Sequence, residues 1–330
     1  MTVDASSVPS QEDHRLGVSS AELLTRYGIV AIAALMFAVF SFTSGVFASV
    51  GNIRNILEQV TVIGVVSIGE TAVMLTGGID LSVGSNVLLS SVVMSNLDVN
   101  HGWPAAGAIG VGILAALVVG LLNGLITTAF GIEPIIVTLG TFLAAGGLGQ
   151  IWLNNSWITL HSIAFADVAT LMPLGIPLMA WIMLGFYLLG IVLLYRTTFG
   201  RTIYLIGGNR AAARLAGLAV KRRVVAVYAL SGLLAGVAGY LEAGQLGIIS
   251  QNDGTGLQFS AILAVLVGGL SVKTGGMGRV EKTLVGTLIA GMIANYFILK
   301  GVAEPYEQAA IGFVILAAVL ADHLLRRREA

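Results

Sequence analysis

Ten apolar runs follow one another along the chain, parted by breaks of a few polar residues. They cover about 27–47, 57–76, 81–97, 105–129, 134–153, 174–195, 224–247, 257–271, 280–299 and 307–325. A helix needs about 20 apolar residues to cross the hydrocarbon core of a bilayer. Charged residues make up only 10% of the 330, against roughly 25% in soluble domains, so a water-facing surface cannot be assembled. The chain is therefore expected to be all-α: a polytopic transmembrane bundle of about ten spans. The second and third runs are separated only by Gly77 to Asp80, and the eighth is short for a straight crossing. Either place suits a broken or re-entrant helix, which is tolerated only where protein or water surrounds the freed backbone.

Orientation follows from the basic residues, which favour the cytoplasmic side. An even span count puts both termini on one face. With that face cytoplasmic, the inner segments hold Arg15, Arg26, Arg196, Arg201, Arg210, Arg214, Lys221, Arg222, Arg223, Lys273, Arg279, Lys282 and Arg326 to Arg328. Only Arg54 and Lys300 fall outside, fifteen against two of the 17. Removing one span would carry either the central loop or the Arg triplet to the wrong side. The division that results is a disordered cytoplasmic tail over 1–24, a transmembrane domain over 25–325 and a basic tail over 326–330. The first 24 residues do not read as a signal peptide, because no apolar stretch follows a basic start.

Several chemistries are excluded or disfavoured. Cysteine is absent, which removes disulfides, thiolate metal sites and thiol nucleophiles. His14, His101, His161 and His323 lie far apart in sequence, so no metal centre is expected. Net charge is zero, with no electrostatic footprint for nucleic acid. The Gly-rich stretch from Gly268 to Arg279 resembles a phosphate loop only loosely: Val272 precedes Lys273 and Glu281 precedes Lys282, where the nucleotide-binding pattern needs Gly before Lys.

Two segments carry the functional signal. The loop over 196–223 has seven basic residues and no acidic one. Within it, Asn209 suits a helix N-cap, Arg210 to Leu215 favours helix, and Gly217 suits a helix stop. Leu215 and Leu218 offer a small apolar contact, and Ala213 and Arg214 complete a short helix built to dock into a partner. The second segment runs from Gly77 to Ser85. Asp80 is expected to accept hydrogen bonds from the first amides of the following helix, where capping and the helix dipole favour a carboxylate, with Ser82 and Ser85 adding to the same cap. Glu58, Glu70 and Glu242 lie at or within spans, where ionisable groups face a cavity or a partner. Glu70 is the deepest, and either a polar pathway or a structural pairing accounts for it. Gly120 with Gly124, and Gly232 with Gly236, have the four-residue spacing that lets helices approach closely in lipid. On residues alone, an ion-coupled secondary carrier using Glu70 and Asp80 remains open. A membrane-embedded enzyme is a weaker third reading.

Taken together, the segments resemble the membrane permeases of ribose-type sugar ABC importers. The resemblance rests on T-G-G-I-D-L-S-V-G-S (Thr76–Ser85), N-G-L (Asn123–Leu125), T-L-G-T (Thr138–Thr141) and T-T-F-G-R (Thr197–Arg201). It continues through Ile206–Gly217, Y-A-L-S-G-L-L-A-G-V-A-G (Tyr228–Gly239) and the Gly-rich stretch, in order from about residue 27 to the C-terminus. It implies a non-catalytic, multi-pass subunit of the cell membrane that pairs with an identical or related permease. It further implies a cytoplasmic ATP-binding cassette ATPase, which holds the ATP and Mg, and an extracytoplasmic sugar-binding protein. Asn209, Arg210, Ala213, Arg214, Leu215, Gly217 and Leu218 become the expected ATPase-coupling surface. Glu70, Asp80, Ser82, Ser85 and Asn123 become the pathway or motif candidates. No cofactor or metal is expected on this chain.

Overall fold

The computed structural model describes residues 20–271 and 275–326. The N-terminal tail up to residue 19, residues 272–274 and the last four residues lie outside the described residues. Thirteen α-helices are present among the described residues: α1 (Ser20–Thr43), α2 (Val50–Leu75), α3 (Val83–Val99), α4 (Ala105–Phe130), α5 (Pro134–Leu153), α6 (Ile163–Thr170), α7 (Leu178–Arg196), α8 (Thr198–Gly208), α9 (Arg210–Leu215), α10 (Val220–Leu246), α11 (Leu257–Val267), α12 (Val280–Leu299) and α13 (Glu304–Arg326). Among the described residues the only strands, β1 (Ile158–Thr159) and β2 (Ile248–Ile249), form a two-residue antiparallel pair. A helix stands at each of the ten apolar runs. Six of these, α2, α4, α5, α7, α10 and α12, are long and apolar enough to cross a membrane.

The helix ends follow the local sequence. The Ser49 side chain caps α2 by accepting from the Asn52 amide. Pro134 opens α5, where its missing N–H costs nothing. Gly131 and Gly247, both in the left-handed region, close α4 and α10.

At the centre, α10 packs along α4 and α2. The paired glycines make this possible. The Gly120 Cα sits against the Gly232 backbone and the Tyr228 carbonyl, and Gly124 sits against the Val225 Cα. Gly236 meets Ile113 in the same way. Tyr228, Met74, Leu75, Ile203, Ile206 and Leu241 are fully buried in the same core, while α4 and α5 expose Leu, Ile and Phe side chains on their outer faces. That outward apolar surface suits contact with lipid or a second subunit.

The second and third runs form a broken pair. Helix α2 ends at Leu75, and residues 76–82 are non-helical: Thr76, Gly78, Asp80 and Ser82 are buried, Ile79 and Leu81 half-buried, and Gly77 is exposed. Helix α3 begins inside the bundle, where Gly84 packs against the Gly254 carbonyl and the Gln258 side chain. Helix α11 is also short, 11 residues, and its start is reached by an irregular segment over 250–256. The two short helices therefore begin near one another. Irregular backbone is held here because protein surrounds it.

Candidate functional site

The break between α2 and α3 holds a connected polar cluster. Asp80 Oδ1 accepts from the Ser82 amide at 3.0 Å and the Ser82 hydroxyl at 2.6 Å. Its Oδ2 accepts from the Ser231 hydroxyl at 2.8 Å. Asn123 donates to Ser82 Oγ at 2.8 Å and accepts from the Thr141 hydroxyl at 2.7 Å. Glu70 Oε1 accepts the Asp80 amide at 3.3 Å, and Thr138 donates to the Ile79 carbonyl at 3.2 Å. Four helices, α2, α4, α5 and α10, are thus tied to one turn. Ser231 lies about 16 Å along α10 from its start, at 1.5 Å per residue, so the cluster sits deep within the bundle.

Asp80 does bond an amide at the start of the next helix. The expectation that Ser82 and Ser85 share that cap is corrected. The Ser82 side chain makes no capping bond; its hydroxyl donates to Asp80 and accepts from Asn123. Ser85 turns its hydroxyl back to the Ser82 carbonyl at 3.0 Å. Glu70 is fully buried and pairs structurally with the Asp80 backbone, while its second oxygen has no hydrogen-bond partner. Ser231 and Thr141 belong to the cluster but were not singled out from the sequence. Their signal was the resemblance itself, since both lie in quoted motifs.

A second site lies on the loop between α7 and α10. Asn209 caps α9 by accepting the Ala212 amide at 2.9 Å, and Gly217 takes a left-handed conformation (φ 76°) just past its end. Ala213 is buried, while Leu215 is 91% exposed. Leu215 and Leu218 do not form one apolar contact: the turn at Gly217 sends Leu218 inward against the core. Arg210 and Arg214 line one cavity of about 170 Å³ with Lys221, Thr127 and Glu133.

This loop is mechanically joined to the polar cluster. The Gly276 amide donates to the Leu75 carbonyl at 2.8 Å. Gly207, at the end of α8, presses its Cα against the same Leu75 carbonyl and against Gly276. The Tyr204 hydroxyl donates to the Gly278 carbonyl at 3.0 Å. Three backbones therefore meet at the end of α2, a few residues before Asp80. Beside them, Tyr195 donates to Glu281 at 2.7 Å and Arg279 pairs with Glu281 at 2.7 Å, linking α7 to α12. Among the described residues no group of acidic or His side chains could hold a metal ion.

Comparison with known proteins gives this architecture its class. The family described as branched-chain amino acid transport system / permease component matches residues 52–319. The chain is 36% identical over 312 residues to the ribose import permease protein RbsC of Escherichia coli K12, covering 92% of this chain and 95% of that protein. It is 35% identical over 309 residues to the L-arabinose ABC transporter permease protein AraH of Azospirillum brasilense, covering 93% and 90%. The fructose import permease protein FrcC of Rhizobium meliloti is 32% identical over 308 residues, covering 91% and 84%. No solved structure matches the chain at a significant level. The chain belongs to this permease family. It is a multi-pass membrane permease subunit of an ABC importer.

Proposed function

We propose that this permease carries a monosaccharide or related polyol, that it works as a pair with an identical or related subunit, and that α9 with its basic flanks docks on a cytoplasmic ATPase. ATP and Mg reside on that partner, and an extracytoplasmic binding protein delivers the sugar. The chain crosses the membrane about ten times with both ends cytoplasmic. Two observations support this topology. Lys300 Nζ donates to the Thr43 carbonyl, joining two breaks assigned outside, and Leu75, Gly207 and Gly276 meet at breaks assigned inside.

The observation that carries the docking reading is the combination of an exposed α9 with the backbone junction at Leu75. A partner that pulls on α9 acts on Gly207, and Gly207 bears on the turn that positions Asp80. The permease needs only different contacts in two states, with the energy supplied by its partner. The sugar class is supported by the relatives, whose names give ribose, L-arabinose and fructose.

Charge reversal tests docking. In the double variant Arg210→Glu, Arg214→Glu, uptake and ATPase coupling are expected to fall at least about tenfold, the size of a lost set of charged contacts, with insertion in the membrane unchanged. Normal sugar-stimulated ATPase activity in that variant rules the assignment out.

A further inference from the structure

A cavity of about 270 Å³ lies where the starts of α3 and α11 face α5. It has room for one small organic molecule rather than a single water. Its polar lining includes Ser85, Gln150, Gln251, Asp253 and Gln258, and Phe142 contributes an aromatic side chain. Gln258 is only 4% exposed, and its Oε1 has no hydrogen-bond partner. That oxygen lies against Gly84 at the wall of the cavity. A buried carbonyl oxygen left without a donor is unfavourable, and a ligand hydroxyl relieves it.

The lining also says what kind of ligand fits. No Lys, Arg or His faces the cavity, so an anion finds no counter-charge. Asp253 is the one charged group, and both of its oxygens are engaged, one by the Ser250 amide at 2.9 Å and the other by the Ser250 hydroxyl at 2.6 Å. Its charge is thereby committed to shaping the segment over 250–256, which Glu242 holds from the other side by accepting the Gly254 amide at 3.2 Å. What remains open to a ligand is the amides of Gln150 and Gln258 and the Thr255 hydroxyl beside an aromatic ring. That set matches an uncharged ring carrying several hydroxyls, with its C–H face against Phe142.

We propose that this cavity is the sugar subsite of the permease, with Gln258 and Gln150 as its hydrogen-bonding residues and Phe142 as its packing face. The proposal rests on the reading of the chain as a sugar carrier and names the place and the selectivity: neutral sugars bind, sugar phosphates and amino acids do not. Short helices that begin inside the bundle give the site fixed walls of backbone, the arrangement transporters use at broken helices.

Saturation-transfer NMR on the chain in nanodiscs tests it, with D-ribose, L-arabinose, D-fructose, ribose 5-phosphate and L-leucine as probes. The expected result is transfer to at least one neutral sugar and to neither of the charged probes. Gln258→Met and the exposed-site variant Gln150→Leu should each weaken that sugar's binding about tenfold, one hydrogen bond's worth. Gln150 lies on the surface, so its variant reports on binding without threatening the fold. Three results overturn the proposal: no transfer to any neutral sugar, equal binding in both variants, or a preference for leucine or the phosphate. Uptake by cells making the whole importer separates the two levels. If they import a neutral sugar while the NMR fails, the subsite alone is wrong. If they import none, the sugar-carrier reading fails as well.

Discussion

Gly120→Val is expected to lower the recovery of folded chain sharply and to cost about 3 kcal/mol in thermal unfolding, the upper range for overpacking a tight contact. A Cβ at Gly120 would strike the Tyr228 carbonyl and come within 2.8 Å of the Gly232 Cα. Both are backbone, so no side-chain rotation relieves the clash and α4 must move off α10. In lipid, such close approach is a main source of helix association, because lipid tails are as apolar as the side chains they replace. Gly110→Val, on the same helix, meets nothing within 4 Å and serves as the control. Unfolding followed in detergent should separate the two variants clearly. Equal stability would mean that the α4–α10 contact does not hold the bundle.

The second large effect belongs to Asp80→Ala. Removing the carboxylate leaves the Ser82 amide, the Ser82 hydroxyl and the Ser231 hydroxyl without the acceptors they now use. All three are buried, and each unsatisfied donor costs about 1 kcal/mol or more, giving about 3 kcal/mol in all. Asp80→Asn keeps one carbonyl acceptor for Ser82 and offers a donor to the Ser231 oxygen, whose hydroxyl is free to rotate. It should therefore lose less than half as much stability. Thermal unfolding of the two variants side by side reads the difference. If Asn and Ala are equally damaging, an amide does not replace the carboxylate; if both are harmless, the cluster is not a structural tie.

A helix at each of the ten apolar runs was legible in the sequence because an apolar helix announces itself by length and apolarity, and six of them are long and apolar enough to cross a membrane. The break after α2 was legible only as a possibility. Gly77 to Asp80 marks an interruption, but nothing local tells whether the chain leaves the membrane there or stays inside it. In the structure the turn is tied to its neighbouring helices, because Ser231, Asn123, Thr138 and Glu70 supply its hydrogen bonds. Ser231 is 151 residues from Asp80, beyond the reach of any periodicity. The same holds for Gly207, an ordinary glycine in sequence until Leu75 and Gly276 arrive against it. Helix α9 was readable from Asn209 and Gly217 because capping is local, whereas the separate fates of Leu215 and Leu218 depended on the path taken after Gly217.

Absence of cysteine throughout the chain makes one experiment especially direct. Leu215→Cys places a single thiol on the exposed face of α9, and Trp157→Cys, at another exposed position (71%), places one beside β1 on the face assigned outside. With a short bifunctional thiol cross-linker applied to membranes containing the whole importer, Leu215→Cys should join the chain to its ATPase. Trp157→Cys should give no ATPase adduct. Capture of the ATPase from position 157, or its absence at 215 with normal transport, would contradict the assignment of α9 as the cytoplasmic docking helix.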